Sequence, residues 1–318
     1  MTPGRDAIVA TAAESIARGS KSFAAASRLF DRATRERAWL LYAWCRACDD
    51  LADGQDHGHD AVPVDDPEGR LALIRARTGA ALAGEWVGDP AFDALRIVVA
   101  ETAMPHALVW DVVEGFALDA AGWRPASEAD LLRYCYHVAG AVGCMMAVVM
   151  GVAPEDETVL DRACDLGLAF QLANIARDIG EDAEAGRCYL PGDWLAEAGI
   201  APDAVMADRE ALAGLARRLC DRAADYAARA RAGTPALGFR SAWAVLAAAG
   251  IYGDIARGVA ARGAAAWDRR VTVPAVARLG WIVRTFGAAW ARRSRYRAAG
   301  PVPDKWVRPR LPERESSR

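Results

Sequence analysis

The sequence predicts an all-α protein, and three observations carry that prediction. Helical periodicity runs along nearly the whole chain. Strand-like alternation is scarce. The hydrophobic fraction is 53 %, much of it alanine spread through charged segments, a composition that favours helix and a well-filled core. The breaks between periodic stretches are loops with turn chemistry: 54–69, with Asp, His, Gly and Pro, then 122–125, 154–157, 185–192 and 199–202. None looks like a domain linker. Length alone, 318 residues, would allow one domain or two, but the pattern favours residues 1–300 as a single helical domain around a central cavity. Residues 301–318, with their Pro, Arg, Glu and Ser, read as a disordered tail.

Charge and cysteine usage narrow the function classes. The formal net charge of -3 supplies no field to attract nucleic acid, so no nucleic-acid partner is expected. Positive charge is carried almost wholly by arginine, with Lys21 and Lys305 the only lysines, and arginine suits forked binding of phosphate oxygens. Seven irregularly spaced cysteines fit free thiols in a reducing compartment, which predicts a cytoplasmic protein. Residues 1–10 hold Arg5 and Asp6 without an apolar run, so a secretory signal is not expected. The stretch 134–153 is almost long enough to span a bilayer. Its glycines, Gly140, Gly143 and Gly151, and the absence of flanking basic clusters favour a buried central helix.

Two acidic clusters carry the chemistry. In residues 42–53, Tyr-Ala-Trp-Cys-Arg-Ala-Cys-Asp-Asp-Leu-Ala-Asp, Asp49 and Asp53 lie one helical turn apart on one face while Asp50 points elsewhere. A lone pair of acids is most simply a solvated helix end. Leu41, Tyr42, Trp44, Cys45 and Leu51 give this segment too much apolar surface for that, and two repelling carboxylates cost stability unless a cation sits between them. In the second cluster, Asn174, Asp178 and Asp182 fall at i, i+4 and i+8, with Gln171 extending the same stripe and Arg177 and Arg187 nearby in sequence. Hard oxygen donors without His or Cys suit Mg2+ or Mn2+ bound jointly with phosphate.

With these motifs on view, the chain resembles the squalene and phytoene synthase family over residues from about 20 to about 270. The resemblance rests on Gly19-Ser-Lys-Ser-Phe-Ala-Ala-Ala, Asp49-Asp-Leu-Ala-Asp, Tyr134-Cys-Tyr-His-Val-Ala-Gly-Ala-Val-Gly, Gln171 to Asp182 and Gly186-Arg-Cys-Tyr-Leu-Pro. Arg240-Ser-Ala-Trp-Ala followed by Tyr252 looks like the phytoene branch. The resemblance implies the helical isoprenoid synthase fold. It implies head-to-head condensation of two geranylgeranyl diphosphates to phytoene through prephytoene diphosphate, with squalene or dehydrosqualene from two farnesyl diphosphates as the alternative. Asp49 and Asp53 would hold metal against one diphosphate, and Asn174, Asp178 and Asp182 against the other. Ser20, Lys21 and Ser22 would form a flap over a diphosphate, with Phe23 after it as a further substrate-binding residue. Arg46, Gln171, Arg177, Arg187, Tyr189, Tyr252 and Arg269 would be further substrate partners, and Tyr134 would face the reacting carbons. Ala52, where bulkier aliphatics are common, and Gly19, where some relatives place histidine, depart from the pattern without removing a ligand.

The resemblance also implies prenyl diphosphate substrates, Mg2+ or Mn2+, no NADPH, and peripheral association with the inner face of the membrane for release of a hydrocarbon product. Nothing in the sequence signals an oligomeric state. No G-x-G-x-x-G after a strand and no P-loop suggests a dinucleotide or ATP fold. Cys45 and Cys48 form a C-x-x-C without a second pair, which on an apolar helix reads as packing. Ser27, one turn beyond Phe23, is small enough to leave depth for a long prenyl tail.

Overall fold

The computed structural model describes residues 3–53, 66–297 and 306–311; the side chains of Lys21, Ser22 and Asp53 lie outside that description. Among the described residues there is no strand. The described residues form fourteen α-helices, in order α1 (Arg5–Gly19), α2 (Lys21–Ser27), α3 (Arg32–Asp53), α4 (Pro67–Leu82), α5 (Pro90–Thr102), α6 (His106–Ala120), α7 (Glu128–Cys135), α8 (Ala141–Val149), α9 (Glu157–Glu184), α10 (Gly192–Glu197), α11 (Arg209–Ala230), α12 (Phe239–Arg262), α13 (Ala275–Trp290) and α14 (Arg292–Arg295).

Short polar side chains set where these helices begin. Asp89, Asp156 and Asp208 each accept a first-turn backbone N–H, from Ala91, Val159 and Ala211. Ser127 and Asp130 form a reciprocal capping box at α7. Pro90 occupies the first turn of α5, where its missing N–H costs nothing.

The 28 residues of α9 make a rod of about 42 Å that packs against α7, α8, α11 and α12. α3 packs against α1, α4 and α5. One continuous apolar core, with Trp44, Trp194, Tyr136, Tyr226 and Phe92 fully buried, joins these helices. α7 runs into α8 through a wide π turn at Tyr136–Gly140. Tyr134, Cys135, Tyr136, Cys144 and Met145 are buried, so this segment, long and apolar enough to cross a membrane, spends its apolar surface on the core.

Glycine allows the close approach of α9 to that segment. A Cβ on Gly167 would lie closer than 3.0 Å to the backbone at Ala139 and Gly140, and one on Gly143 closer than 3.0 Å to the Ala163 carbonyl. Backbone cannot swing aside as a side-chain tip can. Gly167→Ala is therefore expected to force the two elements apart and lower the unfolding free energy by about 2 to 3 kcal/mol. Urea denaturation checks it, and an unchanged midpoint would mean that the contact is loose.

All seven cysteines are free thiols. Burial pushes the Cys45 and Cys48 thiols above their ordinary value, the opposite of a reactive redox pair. The expected tail is corrected in part, because residues 306–311 return to the body. Arg308 is buried and pairs with Glu157 and Asp161 near the start of α9. Arg310 reaches the same two carboxylates at 2.8 and 2.7 Å, and the Trp306 ring lies 5.8 Å from Tyr136. A composition of Pro and Arg signals disorder when read alone; it carries no trace of the carboxylates waiting on a helix some 150 residues away.

Candidate active site

α9 presents Gln171, Asn174, Asp178 and Asp182 half-buried along one stripe, set between the buried residues Leu172, Ala173, Ile175, Ala176 and Ile179. Polar groups on an otherwise buried helix need partners. Arg177 grips Asp178 with two hydrogen bonds of 2.7 and 2.5 Å, from Nε to Oδ1 and from Nη2 to Oδ2. Arg270 donates to the same carboxylate at 3.1 Å and also pairs with Glu181. Burial works against the Arg177 charge, but Asp178 outweighs it and leaves the pKa raised. Burial and then the neighbouring Arg177 push Arg270 down, with Asp178 opposing. Both arginines line a cleft of about 430 Å³ with Trp267, Glu181 and Met206, and Trp267 fixes that wall by donating from Nε1 to the Ala176 carbonyl at 3.1 Å.

α3 contributes Asp49, half-exposed, with the Arg46 Nη1 at 3.5 Å. Arg46 also lies over the Tyr42 ring at 5.9 Å and donates to its hydroxyl at 3.4 Å. Asp53 is the last residue of α3, and its side chain lies outside the described residues. On α2, the Ser20 hydroxyl caps the helix by accepting from the Phe23 N–H at 3.3 Å, and Phe23 packs on Tyr42 with ring centroids 5.7 Å apart. The side chains of Lys21 and Ser22 also lie outside the description. Ser27 is fully buried, donating to the Ala24 carbonyl at 2.9 Å and accepting from Trp39 Nε1 at 3.0 Å. Its hydroxyl thus packs α2 onto α3.

Tyr252 on α12 joins the two clusters. Its ring stacks on Phe170 of α9 at 3.9 Å. Burial raises its pKa, and the charges of Arg177, Asp178 and Arg46 all reach it. Of the groups named by the sequence, Arg46 of α3 and Arg177 and Asp178 of α9 are thus the ones whose charges act on this hydroxyl.

A second constellation lies beside the π turn. The Tyr134 and Tyr189 rings stack at 4.8 Å, and Tyr134 also stacks with Trp123 at 5.7 Å. Both hydroxyls donate to Asp119 at the end of α6, Tyr134 at 3.0 Å and Tyr189 at 2.8 Å. Burial first, and then the Asp119 charge, hold both phenols well above their ordinary value. They stay protonated donors at neutral pH. Arg187 follows Gly186 between α9 and Tyr189, its backbone N–H donating to the Asp182 carbonyl at 2.7 Å. Arg269 is exposed, with its carbonyl accepting from Arg262; its neighbour Arg270 is the one that meets Asp178.

Asp119 and Arg270 are the two residues that the sequence reading passed over. A periodic acid at 119 within the α6 pattern could have drawn attention only if paired with a distant tyrosine.

Among the described residues, no group of three His, Cys, Asp or Glu stands close enough to hold a metal ion alone. Magnesium characteristically takes one or two carboxylates and completes its shell with substrate phosphate and water. The half-buried oxygen donors Asn174, Asp178 and Asp182 of α9, and Asp49 of α3, fit such an ion by donor type.

Comparison with known proteins identifies the family. Residues 16–277 match the family model described as squalene/phytoene synthase. The chain is 50 % identical over 263 residues to a phytoene synthase of Pseudescherichia vulneris, covering 81 % of this chain and 84 % of that protein. It is 46 % identical over 303 residues to the 15-cis-phytoene synthase of Pantoea ananas, covering 94 % and 97 %. The crystal structure of a dehydrosqualene synthase superposes with a TM-score of 0.81 at 26 % identity, covering 90 % of this chain and 98 % of that one. The chain belongs to the squalene/phytoene synthase family.

Proposed function

We propose that this chain condenses two geranylgeranyl diphosphates head to head, giving phytoene through prephytoene diphosphate, in the cytoplasm and without a nicotinamide. The single observation that carries the reading is that Tyr252 feels the charges of Arg46 from α3 and of Arg177 and Asp178 from α9 together, with Asp49 3.5 Å from the same Arg46. Identity to phytoene synthases over nearly the whole chain favours the longer substrate.

The residues divide the work by chemistry. Arg46, Arg177 and Arg187 are the anion partners for diphosphate oxygens, with Lys21 and Ser22 of the flap. Gln171 and Tyr252 are further substrate partners beside them. Asp49, Asp53, Asn174, Asp178 and Asp182 are the oxygen donors for Mg2+ or Mn2+. When bound, such ions would neutralise charge building on a departing diphosphate. Asp178 starts from a grip by two arginines, so substrate phosphate competes for those guanidiniums and frees the carboxylate. The stacked rings of Trp123, Tyr134 and Tyr189 form a wall that excludes water from an allylic cation.

Incubation of the full chain with geranylgeranyl diphosphate, with diphosphate release as the readout, tests the reading. Release should stop in excess chelator and return with magnesium or manganese, while zinc, which prefers N and S ligands, restores little. Full release in excess chelator would contradict the proposed division of roles.

A phytoene-sized hydrocarbon has no polar group to hold it in water. Peripheral association with the inner face of the membrane is therefore part of this reading.

A further inference from the structure

Helix α13 turns one apolar stripe outward. Val276 is 82 % exposed, Leu279 61 %, Val283 68 %, Phe286 47 % and Trp290 76 %. These five residues fall at i, i+3, i+7, i+10 and i+14, which keeps them within about a quarter of the helix circumference. Other large exposed apolar side chains sit apart from one another, Leu73 on α4, Trp86 in the loop before α5 and Trp110 on α6. Single exposed apolar residues are ordinary; a contiguous stripe of five marks a surface that is covered in use.

The opposite face of α13 is already occupied. Trp281 and Ala277 pack against Ile251, Tyr252 and Ile255 of α12, and Trp281 Nε1 donates to Asp254. The Trp243 indole donates to the Ile282 carbonyl at 2.7 Å. The helix is thus fixed to the body by one face, with Tyr252 of the active site in the same cluster. Phe286 also meets Phe239 and Trp243 edge to face at 5.4 and 5.1 Å, which extends the apolar patch onto α12.

Charge identifies what covers it. Residues 269–303 contain no Asp or Glu. Arg278 and Arg292 are spent on the Val273 and Leu237 carbonyls. Arg284, Arg293, Arg295 and Arg297 are exposed, Arg284 beside the stripe and the other three just after Trp290. An apolar stripe with tryptophan and phenylalanine, bordered by arginine alone, matches the interface of an anionic bilayer. A protein partner would need a carboxylate-rich rim and an apolar centre of matching shape, whereas a bilayer supplies both without shape.

We propose that the outer face of α13, with Arg284, Arg293, Arg295 and Arg297, docks onto an anionic phospholipid bilayer and seats the chain there. The proposal rests on the reading that the chain works at the membrane, and it names the surface that does so. Docking through a helix one layer from Tyr252 would place the site's apolar product close to the acyl chains.

Co-sedimentation of the full chain with vesicles tests it, using phosphatidylcholine alone and equal parts phosphatidylcholine and phosphatidylglycerol. Binding should be at least tenfold stronger to the anionic vesicles and weaken in high salt, since each arginine near such a surface adds about fivefold to partition. Leu279→Glu with Val283→Glu should lower binding at least tenfold, and Arg293→Glu with Arg295→Glu should do the same. Both pairs point outward, so the far-ultraviolet circular dichroism and the turnover in detergent micelles should match the parent chain. A parent chain that binds neither vesicle would overturn both the docking surface and the membrane reading. A parent chain that binds while both variants bind equally well would overturn the docking surface alone. Equal binding to both vesicles, or a stripe variant that converts a dimer to a monomer without affecting vesicle binding, would likewise refute it.

Discussion

Asp178→Asn is expected to lower turnover by roughly 100- to 1000-fold, the loss typical when one electrostatic contact to a charge-developing group is removed. The substitution keeps the volume and one acceptor oxygen while it removes the charge that Arg177 and Arg270 hold between them. Two guanidiniums would then lie side by side without their carboxylate. The cost to folding should be about 2 kcal/mol, small enough to leave a folded protein whose turnover can be measured. Raising the magnesium concentration should recover part of the loss if Asp178 meets the ion. If the ion pair only braces α9, the variant would lose stability and keep near-normal turnover, and Asp178 would leave the proposed donor set.

The second large effect is expected at Asp119. The Asp119 Oδ1 accepts from both Tyr134 and Tyr189, and Tyr134 also reaches Oδ2 at 3.1 Å; Asn at that position removes the charge and replaces one of the two acceptor oxygens by an N–H2. Loss of the charge-assisted acceptor in a buried setting should cost about 1 to 3 kcal/mol of stability and loosen the hold on the Tyr134 ring. Turnover should fall by about 10- to 100-fold, the loss expected when positioning is relaxed by about an ångström. Tyr134→Phe and Tyr189→Phe each remove one donor. In the Asp119→Asn background they should cost much less than in the parent chain, because all three act as one unit. Fully additive losses in turnover would show that Asp119 does not work through the tyrosines. Because both phenols are held well above their ordinary value by burial and by Asp119, neither should contribute an alkaline limb to the pH profile below pH 10.

The features legible in the sequence are those written in a single period. Asn174, Asp178 and Asp182 announce themselves because helical spacing alone puts three oxygens on one stripe, and the 28 uninterrupted residues of α9 realise it. The buried α7 and α8 segment is legible from its glycines, which the structure uses for close packing on α9. What could not be read depends on pairing across the fold. Asp119 lies 70 residues from Tyr189, and no local rule links them. Arg269 and Arg270 look alike in sequence, but adjacent side chains leave the backbone in different directions, and only Arg270 reaches Asp178. Ser27 looks like a gap left for a prenyl tail until Trp39 is seen donating to its hydroxyl. The residues from 306 to 311 carry a disorder-like composition, yet Arg308 finds two carboxylates on α9. The outward stripe of α13 is a further case: spacing shows that five apolar residues share one face, and the fold alone decides that this face is exposed among the described residues.

The central claim is that this chain joins two twenty-carbon units, and the most direct measurement is the mass of the product. The full chain is supplied with equal geranylgeranyl and farnesyl diphosphate and magnesium, with and without reduced nicotinamide. The account predicts a forty-carbon phytoene as the main hydrocarbon, in the same yield whether or not the nicotinamide is present. A thirty-carbon squalene or dehydrosqualene as the main product, or a product that requires the nicotinamide, would contradict it.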